Sequence, residues 1–110
     1  MQMRKGALEH CVLALLLGTE RYAPELVEAL ASRPGLVTSE GTIYPLLARL
    51  RREGLVTTTW RESSAGPPRR YYQLTPAGER ALEQFVASWR LFAGAVEDIL
   101  RTRGQRSTSA

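Results

Sequence analysis

Arginine is the residue whose chemistry this sequence concentrates. Fourteen of its fifteen basic side chains are arginine, and Lys5 is the one lysine. A guanidinium makes planar, two-pronged contacts with phosphate oxygens and with guanine edges. The arginines are also grouped: Arg49, Arg51 and Arg52 in one cluster, Arg61, Arg69 and Arg70 in a second, Arg101, Arg103 and Arg106 in a third. Most carboxylates lie elsewhere, Glu20, Glu25 and Glu28 toward one end, Glu79, Glu83, Glu97 and Asp98 toward the other. The net charge is +4 and the isoelectric point is near 9.8. Biased codon usage accounts for part of the arginine excess, so position says more than count. A basic middle between more acidic flanks is the charge pattern of a nucleic-acid face.

Other chemistries lack their residues. One cysteine excludes an intrachain disulfide and a multi-thiolate metal site, and one histidine excludes a site with two imidazoles. His10 and Cys11 are neighbours on a helical stretch, about 100° apart, and cannot face each other across a pocket. No catalytic residues, metal or cofactor are expected, and the chain is not read as an enzyme. Cys11 falls on an apolar stripe and reads as a small core residue. His10 falls off the stripe and reads as solvated.

These residues must be positioned by a small frame. The chain has 110 residues, 44% hydrophobic and 24% charged, which suits one compact unit with an appended element. A membrane span needs about 18 apolar residues in a row; the longest run, Cys11 to Leu17, has seven. The basic start, Met1 to Gly6, imitates a signal peptide. However, Glu9 and His10 come before the apolar stretch, and no small-residue cleavage site follows. A cytoplasmic protein with no membrane partner is expected.

Residues 5–18 carry Leu8, Cys11, Val12, Leu15 and Leu16 at the spacing of an amphipathic helix, and Gly18 is placed to end it. A second helix is expected over 22–32, with Pro24 in its first turn and Tyr22, Leu26, Val27 and Leu30 inward. Thr38 or Ser39 can cap a third, whose stripe is Ile43, Leu46, Leu47 and Leu50 and whose stop is Gly54. Its opposite face holds Gly41, Pro45, Ala48 and Arg52, flanked by Thr42 and Arg49. Small residues let a helix sink into a groove, and arginines reach edges and phosphates. Mid-helix Pro45 removes a hydrogen bond to the Gly41 carbonyl, at a cost of about 3 kcal/mol. It reads either as a tolerated early kink or as a device that shapes the docking surface.

From Leu55 the period changes to two. Residues 55–62 read as a strand, Ser63 to Pro68 as a turn, and Arg69 to Leu74 as the returning strand, with the arginines at the tip. Trp60 reads as hairpin packing, and of Tyr71 and Tyr72 one is expected inside and one outside. Thr75 and Pro76 then open a last helix, to about Arg101, as cap and first residue. Leu82, Phe85, Trp89, Phe92, Val96 and Ile99 alternate steps of three and four, a heptad seam. That helix is about 40 Å long on a body of about 25–30 Å, so it should overhang and leave an aromatic stripe for a second chain to cover. The expected division is a winged-helix DNA-binding domain over 1–75, a dimerisation helix over 76–103 and a disordered tail over 104–110.

Three helices and a two-stranded hairpin make a winged helix-turn-helix, mainly α with a small β-hairpin. There the third helix enters the major groove and the hairpin touches the flanking backbone. The arginines of the third helix and of the hairpin fall on that same surface. The sequence also resembles a known family. Arg4 to Glu9, Ser39 to Leu50, Glu53 to Val56 and Pro67 to Gly78 are similar to the motifs of the PadR family of bacterial transcriptional regulators. The likeness covers about residues 4–100 and points to the short-tailed branch with a single C-terminal helix.

The resemblance implies a dimeric repressor on an inverted-repeat operator in double-stranded DNA. It places Ser39, Thr42, Tyr44, Pro45 and Arg49 in the recognition-helix motif, and Arg69 and Arg70 in the wing. Thr42, Tyr44 and Arg49 are the candidates for base contacts, with Arg52 beside them. Tyr44 could instead pack on the hairpin, and Arg51 reads as a flank residue paired with acids. The resemblance also implies release from DNA when a small aromatic or drug-like ligand binds, or on another signal, as in many members; in some an aromatic of the last helix lies beside a pocket between protomers, and Trp89 falls in that region. From its heptad position alone, Trp89 is an anchor of the seam formed by Leu82, Phe85, Trp89, Phe92 and Val96. Many relatives have Gly-Tyr where this chain has Arg21-Tyr22. The rival reading is a winged-helix protein–protein module that does not read DNA; basic residues on both helix and wing argue against it.

Overall fold

The computed structural model describes residues 3–36 and 38–109, with side chains over 6–36 and 38–103. The elements run α1 (Met3–Leu15), β1 (Arg21–Tyr22), α2 (Ala23–Ala31), a 3-10 turn (Pro34–Leu36), α3 (Glu40–Arg52), β2 (Val56–Ser63), β3 (Gly66–Leu74) and α4 (Pro76–Ser109). This is the expected winged helix-turn-helix with a long final helix.

The four α-helices and the hairpin contribute to one core: Leu8, Val12, Leu13 and Leu16 of α1, Leu26 and Leu30 of α2, Ile43, Leu47 and Leu50 of α3, Val56 and Tyr72 of the hairpin, and Leu82 of α4. Each such leucine stabilises the fold by about 1.5–3 kcal/mol through burial. Leu13 was not on the expected stripe. It is fully buried because α1 packs against both α2 and α4, and a helix covered on two sides needs a wider apolar surface. Cys11 is half-buried against the core, where desolvation raises its thiol pKa.

The sheet has the order β1-β3-β2, all antiparallel. β2 and β3 pair from Val56↔Leu74 to Arg61↔Arg69, then slip through a bulge to Ser63↔Gly66. The turn is therefore only Ser64-Ala65, and Pro67 and Pro68, expected in the turn, belong to β3. β1 pairs only with Tyr71 and Tyr72, and Pro67 and Pro68 sit at the bulge, where the ladder with β2 is already interrupted and proline is tolerated. β1 itself was not foreseen, since two residues carry no period. The backbone at Tyr22 is extended (φ −97°), and its N–H donates to the Glu25 carboxylate at 3.0 Å. Arg21 Nε donates to the Leu15 carbonyl at 2.8 Å. No non-glycine residue among those described has positive φ, so this corner needs no glycine.

Thr75 fastens α4 to the wing. Its Oγ1 accepts from the Gly78 N–H at 3.0 Å and donates to the Gly54 carbonyl at 2.7 Å. Gly54 itself has φ +75°, a conformation glycine adopts without a Cβ clash. A Cβ at Gly78 would overlap the Leu55 carbonyl oxygen and the Leu74 side chain. From this joint α4 runs for 34 residues, about 51 Å, in a molecule measuring 63 × 28 × 23 Å. It continues past Arg103 to Ser109, through the segment expected as a disordered tail. Lone Gly104 costs a helix only about 1 kcal/mol, and no proline follows it. The side chains of 104–110, Arg106 included, lie outside the described residues, as does Ala110.

Candidate nucleic-acid interface

α3 is anchored on one side and open on the other. Ile43, Leu46, Leu47 and Leu50 are buried, while Thr42, Tyr44, Pro45, Ala48 and Arg52 are exposed. Ser39 precedes the helix in extended conformation, φ −135° and ψ 164°. Its carbonyl accepts from the Ile43 N–H at 3.0 Å. Its hydroxyl caps no N–H and instead lies 3.4 Å from the Thr42 hydroxyl. Ser39, Thr42 and Tyr44 thus present hydroxyls at the open start of the helix. Tyr44 is 45% exposed and is not absorbed into the hairpin. Partial desolvation, then the Glu40 carboxylate, push its phenol pKa up. Pro45 lies on the open face, and Gly41, whose carbonyl loses its helical donor to the proline, is likewise exposed.

Arg49 sits apart from this face. Its guanidinium grips Glu9 of α1 with both ends, Nη1 to Oε1 at 3.3 Å and Nη2 to Oε2 at 3.0 Å, and Nη1 also reaches Glu53 at 3.3 Å. The bonds to Glu9, chiefly, raise its already high pKa further. Both of its terminal nitrogens bond carboxylates of its own chain. Arg51, expected to be the acid-paired flank residue, has no ion pair among the described residues. Arg49 and not Arg51 is the acid-paired arginine because Glu9, 40 positions away, comes to lie beside it, a contact that sequence spacing cannot show.

The wing divides its arginines between two faces, as strand alternation requires. On one face Arg61 pairs with Glu20 and covers the Tyr71 ring, and Arg69 covers the Tyr22 ring, each at 4.8 Å to the centroid. On the other face Arg70 lies toward α3. There Ala48, Arg51, Arg52, Arg70 and Tyr72 line an open recess of about 410 Å³. None of its three guanidiniums has a carboxylate partner among the described residues. Three guanidiniums around one recess, with no carboxylate partner among the described residues, concentrate positive charge that can attract an anion.

The family model of the transcriptional regulator PadR-like family matches residues 12–84. This chain belongs to the PadR family.

A transcriptional regulator of Mycobacterium tuberculosis is 45% identical to it over 83 residues, 76% of each chain. The crystal structure of a PadR-like transcriptional regulator from Bacillus cereus superposes with a TM-score of 0.81 at 41% identity, covering 91% of this chain and 97% of that one. A Streptococcus transcriptional regulator gives 0.80 at 39%, covering 90% and 97%. The PadR assignment makes the protein a DNA-binding transcriptional regulator of winged-helix type, not an enzyme. Among the described residues, no His, Cys, Asp or Glu group could hold a metal ion, and no helix is long and apolar enough to cross a membrane.

The seam residues of this PadR protein do not share one environment. Leu82 is buried in the protomer's own core, so it stands inside the domain and not on a free seam. Phe85 is half-buried and stacks on His10 at 3.9 Å, with the planes 4° apart. His10 was expected in solvent; instead its Nδ1 donates to the Gly6 carbonyl at 2.8 Å while the ring joins α1 to α4. Trp89 and Phe92 continue the aromatic series at 5.8 and 6.1 Å. Trp89, Phe92, Val96, Ile99 and Leu100 are exposed.

Proposed function

We propose that this PadR protein is a homodimeric repressor that sets α3 into the major groove and rests its wing on the flanking backbone. The observation that carries the reading is the recess of Arg51, Arg52 and Arg70 beside the open face of α3. An unneutralised triple guanidinium site next to a protruding helix suits a phosphodiester beside a groove. Thr42 and Tyr44 are the base-reading candidates, with Ser39 and Pro45 shaping the entry of the helix. Arg49 is a strut between α1 and α3. Arg69 is a secondary backbone contact, since it faces away from α3.

The uncovered apolar side of α4 from Trp89 to Leu100 supports pairing with a second copy. A two-fold pair would hold two α3 helices about 34–36 Å apart, one turn of duplex. An aromatic effector would act by binding the dimer whose spacing does not fit DNA better than the one that does.

Selection of duplexes from a random pool on the immobilised protein tests the reading. An enriched inverted repeat is expected, with affinity that falls steeply with salt. A pool that stays random under these conditions contradicts it and favours the protein–protein module.

A further inference from the structure

The recess has an aromatic neighbour for which neither packing nor pairing gives a reason. Trp60 is the direct cross-strand partner of Arg70. It is 63% exposed, more than any other large hydrophobic side chain outside α4 among the described residues. The expected role in hairpin packing does not hold, because the contact it makes is with a cation: the Arg70 guanidinium lies over the indole, 4.8 Å from the ring centroid.

We propose that Trp60 is a DNA-contact residue of the wing, a platform that holds Arg70 flat while its own free surface lies against the deoxyriboses and base edges of the flanking groove. The inference rests on the DNA-binding reading above and adds to it a residue and a mode of contact.

Three features lead there. First, a guanidinium can stack through its face while donating through its edge, so Trp60 fixes the plane of Arg70 without occupying its N–H groups. Second, the two wing faces differ in charge balance. The Arg61 and Arg69 face is closed by Glu20, which pairs with Arg61 and accepts from the Thr59 hydroxyl at 3.1 Å. The Trp60 and Arg70 face shares its recess with Arg51 and Arg52 and has no carboxylate partner among the described residues. Glu62, on the same strand face as Trp60 and opposite a bulge whose extra residue lies in β3 at Pro67 and Pro68, makes no ion pair with Arg70 among the described residues. Third, a large apolar ring beside unneutralised cations matches a partner that offers apolar ring faces and anions together. Nucleic acid has both, in its sugars and bases and in its phosphates.

The test uses the full chain labelled with 5-fluorotryptophan and the duplex recovered by selection. Trp60 and Trp89 give two fluorine resonances, assigned with Trp60→Phe. At saturation, the Trp60 resonance should shift and lose its sensitivity to exchange of water for heavy water. Trp60→Ala should weaken binding about tenfold, and Trp60→Phe much less. A Trp60 resonance still open to solvent in the saturated complex, or wild-type affinity in Trp60→Ala, overturns the contact and leaves the DNA reading standing. Failure of the labelled protein to hold any selected duplex overturns both.

Discussion

Arg49 and Glu9 form a two-pronged ion pair that fastens α3 to α1, with N–O distances of 3.0 and 3.3 Å. His10, the next residue, stacks on Phe85 of α4. Two consecutive positions of α1 thus hold the candidate reading helix and the long helix. Removing the pair should loosen α3 against the domain. Arg49→Ala should cost about 1 kcal/mol, the upper range for a partly exposed pair, and lower the melting temperature by about 4–8 °C. Its affinity for the selected duplex and for random duplex should fall by the same factor. Unchanged melting with an altered base preference would show that Arg49 reads a base after all.

The two wing arginines should separate in a salt titration. Each lost phosphate contact reduces the slope of log K against log salt by about 0.9. Arg70→Ala and Arg52→Ala should each show that loss. Arg69→Ala should show less, because its guanidinium lies over Tyr22 on the far face of the hairpin. Equal losses at Arg69 and Arg70 would mean that both wing faces meet DNA.

Gly78 and Gly94 lie on one helix but should respond oppositely to alanine. A Cβ at Gly78 meets the Leu55 carbonyl and Leu74, whereas one at Gly94 meets nothing within 4 Å. Gly78→Ala should destabilise by about 1–3 kcal/mol as the joint shifts. Gly94→Ala should stabilise by up to about 1 kcal/mol through helix propensity. Chemical denaturation of the two variants checks both signs.

Much of the frame was legible because it is local. The stripes of α1 to α3, the stops at Gly18 and Gly54, the period of two after Leu55 and the Thr75 cap each depend on residues within a turn or two. What escaped was nonlocal. β1 exists because Tyr22 finds Tyr71. Leu13 is inside because a second helix covers α1. Arg49, and not Arg51, is ion-paired because its partner Glu9 comes from α1. The hydrophobicity of Trp60 suggests burial, whereas its ring supports a guanidinium at the surface. Clusters of charge showed which part of the chain is basic; only the fold showed which guanidiniums are already paired.

The α4 seam gives a prediction about assembly. Phe92 is 52% exposed and stands beside Trp89, where the uncovered stripe begins. Phe92→Glu should split the dimer, because two like charges would face an apolar seam. The winged-helix core, which ends at Leu82, should stay folded. Sedimentation velocity with circular dichroism checks both; a Phe92→Glu variant that still sediments as a dimer would place the interface elsewhere.

The most direct measurement is the mass of the protein–DNA complex by sedimentation equilibrium on the selected duplex at physiological salt. Two 12.2 kDa chains per duplex are expected, from a protein already dimeric without DNA. One chain per duplex, or a protein that remains monomeric throughout, contradicts a repressor built on paired α4 helices.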